Sequence, residues 1–142
     1  MSTDPYDLQR FVDAQMDDYE SALAELRAGQ KRTHWMWYIF PQLEGLGTSS
    51  MARRYAIKDL DEARAYLQHP VLGPRLRECA SAMLEHHDRS AREILGTPDD
   101  LKLRSCATLF ARASDDLVFS KILERFYEGI PDPKTESLLG SD

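Results

Sequence analysis

The sequence predicts an all-α fold, and three observations carry that prediction. Apolar residues recur at steps of three and four along most of the chain. Helix punctuation repeats: Asp59 with Glu62 and Ser90 with Glu93 have capping-box spacing, and Thr97-Pro98-Asp99-Asp100 sets an N-cap residue, a proline and two carboxylates in order. No pair of alternating apolar runs is joined by a hairpin turn signal.

Taken in order, the set Leu8, Phe11, Val12, Met16, Tyr19, Leu23, Leu26 forms a helical stripe ending at Gly29, a natural stop, with Asp17-Asp18 marking a break into two helices. Next comes "THWMWYIF", in which His34 to Phe40 hold two tryptophans, a tyrosine, a phenylalanine, a methionine and a histidine. No helical face of this run is polar, and as a strand both its faces are apolar, so it is largely buried. A strand needs a partner for its backbone and no second convincing strand follows, which favours a short helix capped by Thr33 and broken by Pro41. The loop Pro41 to Ser50, with Gly45, Gly47 and three hydroxyl residues, is the longest irregular stretch and the kind of segment on which binding residues sit.

Asp59 opens the helix "LDEARAYLQH", and Pro70 ends it or begins the next, whose stripe is Leu72, Leu76, Cys79, Ala80, Met83 and Leu84. Ser90 opens a short helix closed by Gly96. From Thr97 a longer helix places Leu103, Cys106, Ala107, Leu109, Phe110 and Ala113 on one apolar arc, with Arg104, Ser105, Thr108 and Arg112 opposite. After Ser114-Asp115-Asp116 the stripe Phe119, Ile122, Leu123, Phe126, Tyr127 runs to Gly129, followed by the proline-rich turn "IPDPKT" and a short tail helix.

A chain of 142 residues, 42% apolar and 30% charged, is suited to one globular domain spanning 1–142 with a core that needs neither disulfides nor metal. Eighteen basic against twenty-four acidic side chains give a net charge of −6, which argues against general nucleic-acid binding. Lys31-Arg32-His34 and Arg53-Arg54 with Lys58 are local basic clusters, either solvated helix ends or a patch for one small anion. Cys79 and Cys106 stand far apart with no C-x-x-C pair, and the start "MSTDPYDLQR" carries no secretory signal, so free thiols and a cytoplasmic setting are expected by default. No apolar run approaches the roughly 20 residues of a membrane span. No cofactor and no metal site is implied: His34, His69, His86 and His87 lack i, i+4 pairing, and the adjacent His86-His87 belong at a helix C-terminus. Oligomeric state is not encoded in any pattern here.

Two places carry candidate chemistry. Trp35, Trp37, Ile39 and Phe40 are either simply core or, with His34, Gln42 and the glycine-serine loop, the mixed wall of a pocket for a planar ligand, with Arg53 and Arg54 close downstream. Lys102 falls inside the apolar arc of its helix. It is either a first-turn lysine whose stem packs while its ammonium reaches water, or an anion anchor or base.

The segments "LQRFVDAQ", "ALAELRAGQKRTHWMWYIFPQLEGLGTSS", "YAIKDLDEARAYLQHPVLGPRL", "ILGTPDDLKLRSCATLF" and "FYEGIPDPKTESLL" together resemble domain-of-unknown-function family 1810, small bacterial proteins sometimes labelled calpastatin. The resemblance covers nearly the whole chain and keeps the motif order. It implies a compact all-α fold and carries over no activity and no catalytic residue. Ala107 departs from it, standing where methionine is expected before Thr-Leu-Phe. The calpastatin label is rejected on physical grounds, since that inhibitor is long, repetitive and mostly disordered. A looser analogy in general character is to the small aromatic-rich glycosidases of the ADP-ribose-processing NADAR type.

The functional expectation is a pocket for a small planar anionic metabolite, such as a nucleotide or ADP-ribose derivative, with N-glycoside processing as its chemical extension. Trp35, Trp37 and Tyr55 would supply stacking surface, His34 and Gln42 polar contacts, and Arg53, Arg54 or Lys102 the anion anchor. Lys102 and the aromatic run are expected to meet across one concavity. The alternative is a non-enzymatic protein-interaction module presenting an exposed aromatic patch.

Overall fold

The computed structural model describes residues 4–140; Met1–Thr3 of the polar start and Ser141–Asp142 lie outside the described residues. The helices in chain order are α1 (Gln9–Gln15), α2 (Tyr19–Ala28), α3 (Met36–Ile39), α4 (Ser50–Arg54), α5 (Leu60–Gln68), α6 (Leu72–Leu84), α7 (Ala91–Leu95), α8 (Asp99–Ala113), α9 (Leu117–Tyr127) and α10 (Pro133–Leu139). The fold is all-α. The only β pairing among the described residues is an isolated parallel bridge, Leu43 with Ile57, in which Glu44 N–H donates to Ile57 C=O at 2.7 Å and Ile57 N–H to Gln42 C=O at 2.9 Å.

Helix α8 is the axis of the packing, with α5, α7, α9 and α10 against it, while α6 packs on α2, α5 and α9. The aromatic rings Phe11, Tyr66, Phe110 and Phe119 form a continuous row from α1 through α5 and α8 to α9, at successive centroid distances of 5.1, 5.5 and 5.5 Å. All four are fully buried, each worth on the order of 2–3 kcal/mol of apolar transfer. Ala107, the departure from the family pattern, is buried in this same core.

Several local details differ from the sequence reading, each for a physical reason. Leu8, Phe11, Tyr19, Leu23 and Leu26 of the first stripe are buried, but at the break between α1 and α2 Met16 is 71% exposed and Gln15 is buried. Gln15 Nε2 donates to Tyr38 C=O at 2.7 Å and to the Tyr66 hydroxyl at 3.1 Å, which satisfies a polar group that burial would otherwise penalise. Ser90 and Glu93 form the reciprocal capping box, but Glu62 does not return its side chain to the Asp59 N–H. Its Oε1 accepts from Lys58 N–H at 2.8 Å and its Oε2 from Arg10 at 2.9 Å.

Helix α8 starts at Asp99 rather than after a Thr97 cap, with Pro98 in the N-cap position. Its polar side is partly buried as well: α10 packs on α8, Arg104 and Arg112 are half-buried, and the buried Ser105 and Thr108 hydroxyls donate back to the C=O of Leu101 and Arg104 at 3.2 and 2.8 Å. Thr108 Oγ1 in turn accepts from Asp132 N–H at 2.8 Å, pinning the start of α10. Gly29 ends α2 in the left-handed region at φ 78°, with Gln30 N–H donating to Glu25 C=O at 3.0 Å. That turn sends the chain into the aromatic run.

Candidate functional site

The aromatic run is held from one carboxylate. Thr33 does not cap α3; instead Glu25 accepts from the N–H groups of Arg32 and Thr33 at 2.7 and 3.0 Å, from the Thr33 hydroxyl at 2.7 Å, and from the Trp35 indole at 3.0 Å. Partial burial raises the Glu25 pKa, but these four donors outweigh it and hold the carboxyl at about 2. Trp35 is thereby fixed with no exposed surface. It offers no stacking face to a ligand, which corrects its assignment as a pocket wall.

From this turn a row of alternating rings and charges crosses to α8. The Lys31 ammonium stands 5.0 Å from the Trp35 ring centroid, donates to Thr33 C=O at 2.6 Å, and pairs with Asp99 Oδ2 at 3.1 Å. Asp99 Oδ1 lies 3.4 Å from the Lys102 ammonium, which stands 5.4 Å from the Trp37 ring centroid. Each ammonium therefore gains a π face and a share of one carboxylate. The Lys31 side chain is 8% exposed and that of Lys102 is 26% exposed. The row runs from a sealed end to an open one.

The open end is a shallow hollow of about 330 Å³, lined by Gln42, Leu46, Gly47, Pro98, Leu101, Lys102, Ser105, Asp132 and Lys134. Three elements build it: the loop after α3, the first turns of α8 and the start of α10. Its lining combines two lysines and a glutamine with leucine and proline, and Leu101 is 55% exposed. Asp132 caps α10, its Oδ2 accepting from Thr135 N–H at 2.9 Å and from the Thr135 hydroxyl at 2.6 Å. Gly47 is required by close packing, since a Cβ there would lie 2.5 Å from the Ala52 Cβ.

Among the sequence-predicted residues, Lys102, Gln42 and Trp37 come together, Trp37 through Lys102 rather than as a lining residue. His34 is exposed, and its C=O accepts from the Tyr38 hydroxyl at 3.3 Å. Arg53, Arg54 and Tyr55 are elsewhere: the two arginines are exposed at the end of α4 beside hollows they share with Arg10, and Tyr55 is buried against Phe11 and Tyr38 at 5.7 and 5.3 Å. They are not anchors or stacking surface for the Lys102 hollow, since none of the three lines it. Lys134, Leu46 and Leu101 were not anticipated: the docking of α10 brings Lys134 to the site, and the loop after α3 brings Leu46 beside Leu101 of α8. The Lys31–Asp99 pair joins residues 68 apart, and no spacing rule reaches that far. The two thiols are poor nucleophiles: burial pushes Cys79 up to about 12 and raises Cys106 well above the ordinary thiol range. No group of three or more potential metal ligands occurs among the described residues, and no described helix is long and apolar enough to cross a membrane.

No curated protein matches the chain. Among solved structures it is similar to the crystal structure of the conserved hypothetical protein Rv1873 from Mycobacterium tuberculosis, with 54% sequence identity, a TM-score of 0.95, and coverage of 97% of this chain and 99% of that one. A family model described as a protein of unknown function, DUF1810, matches residues 5–139, and the chain belongs to that family.

Proposed function

We propose that the hollow at Lys102 binds a small anionic metabolite with a flat or apolar body, in the size range of a nucleotide. The observation that supports this reading is the Lys102 ammonium itself: it is held in place by Asp99 and Trp37, yet it opens onto a concavity that also carries Lys134 and Gln42. Preorganised cations beside apolar surface are what an anionic ring compound needs. Its body lies on Leu46, Pro98 and Leu101 rather than on an indole. The proposal is one of binding. Hydrolysis of an N-glycosidic bond needs a carboxylate free to act on that bond, and Asp132, the carboxylate among the lining residues, is engaged in capping α10.

A thermal-shift panel of nucleotides and NAD-related metabolites tests it. A true ligand at about 100 times its dissociation constant adds about 2.7 kcal/mol of stability. The expected result is a rise in Tm with at least one phosphorylated member and loss of that rise in Lys102→Met. No shift with any member, or a shift unchanged in Lys102→Met, overturns the reading.

A further inference from the structure

We infer that Lys31, which does not line the hollow, is the residue that keeps the Lys102 charge available to an anion. The inference deepens the reading of the Lys102 hollow as an anion site and rests on it. Asp99 has two ammonium partners but one negative charge, and its shorter contact is to Lys31, at 3.1 Å against 3.4 Å to Lys102. Lys31 is fixed from two further sides, by Thr33 C=O at 2.6 Å and by the Trp35 face, and its side chain is 8% exposed. A buried cation so held draws Asp99 away from the hollow. The row of two lysines and one aspartate then carries a net positive charge, and its most exposed member is Lys102, at 26% against 18% for Asp99 and 8% for Lys31.

Removing Lys31 changes the sign logic. Asp99, three residues before Lys102 on α8, is left with Lys102 as its single ammonium partner in the row, and the pair becomes neutral toward an approaching anion. Lys31 is thus a positioning residue acting through Asp99, and Asp99→Asn should have the opposite effect on the field at the hollow.

Fluorescence quenching by iodide, with acrylamide as the neutral comparison, reads that field at Trp37. Trp35 has no exposed surface, so the half-buried Trp37 beneath Lys102 dominates the quenchable signal. At low salt the iodide-to-acrylamide ratio of quenching constants is expected to fall about twofold in Lys31→Met, to rise about twofold in Asp99→Asn, and to return to or above the parent value in the double variant. Arg32→Met, which removes a neighbouring charge outside the row, should lower the ratio by less than Lys31→Met does, and an equal fall would mean that Lys31 acts only as one more nearby charge and not through Asp99. Equal changes with both quenchers in Lys31→Met would mean that the loop has merely opened, and an unchanged ratio in Asp99→Asn would mean that Asp99 does not set the field; any of these results overturns the inference. Iodide needs no bound metabolite, so failure here is distinct from failure of the thermal-shift panel.

Discussion

Two regions of this molecule use the same ingredients, a cation, a carboxylate and an aromatic ring, to different ends. At the Arg10–Glu62 knot, the guanidinium donates to the C=O groups of Tyr6, Asp7, Arg54 and Ala56 at 2.5, 2.8, 2.9 and 2.8 Å and to Glu62 at 2.9 Å, and it covers the Phe11 ring at 4.4 Å. Glu62 is 2% exposed and also takes the Lys58 N–H. The contacts to Arg54, Ala56 and Glu62 tie α1 to the end of α4, the α4–α5 link and α5, and those to Tyr6 and Asp7 hold the segment before α1. In the Lys31–Asp99–Lys102 row, by contrast, two cations share one carboxylate and the outer cation faces a hollow. The difference teaches how to tell a structural ion pair from a ligand site: count what each charged group has left over.

The comparison breaks most visibly at Arg10. Arg10→Met strands the buried Glu62 carboxylate and several carbonyls, and is expected to lower unfolding stability in urea by about 3–5 kcal/mol. Adding Glu62→Met should recover most of that loss, because replacing both partners of a buried pair by apolar groups is often nearly neutral. If the double variant is no more stable than the single, the carbonyl contacts rather than the charge pair hold the knot.

A smaller effect sharpens the other side. The folded-state pKa of Glu25, about 2, lies below its ordinary value of 4.5, so its ionised form contributes stability that is fully present above about pH 4.5 and is lost as pH falls toward 2. Allowing for solvent screening of a half-exposed carboxylate, that contribution is about 1–2 kcal/mol. Denaturation midpoints of Glu25→Gln between pH 2 and 6 should therefore slope less steeply than those of the parent protein, and Trp35 emission should shift toward the exposed range at lower denaturant. Equal slopes would show that the four donors to Glu25 do not depend on its charge.

The smallest expected change is at the open end. Lys102→Met retains the packed stem and removes one partly exposed ion pair, so stability should move by less than about 1 kcal/mol in either direction. The same substitution should abolish the ligand response in the thermal-shift panel. A stability loss comparable to that of Arg10→Met would place Lys102 with the structural knot instead.

The fold was legible to the extent that local chemistry fixes it. Ser90 and Glu93 cap a helix because their side chains reach backbone N–H groups three residues away, and the stripes of α6 and α9 follow from 3.6 residues per turn. Such interactions lie within one turn and can be read from spacing. Met16 was misread because it sits in the turn between α1 and α2, where helical periodicity no longer says which side chain faces the core.

The sequence by itself determined an all-α chain with a buried aromatic run and a lysine set among apolar neighbours, since composition and periodicity encode burial. What only the tertiary structure decided is which polar groups are answered. Glu25 folds back on Trp35 and closes it off, Arg53 and Arg54 line other hollows beside Arg10, and α10 docks on α8 to make a wall for Lys102. The physical reason is that a charge or hydrogen-bonding group is defined by partners tens of residues distant, whose approach is set by helix packing and not by their place in the chain.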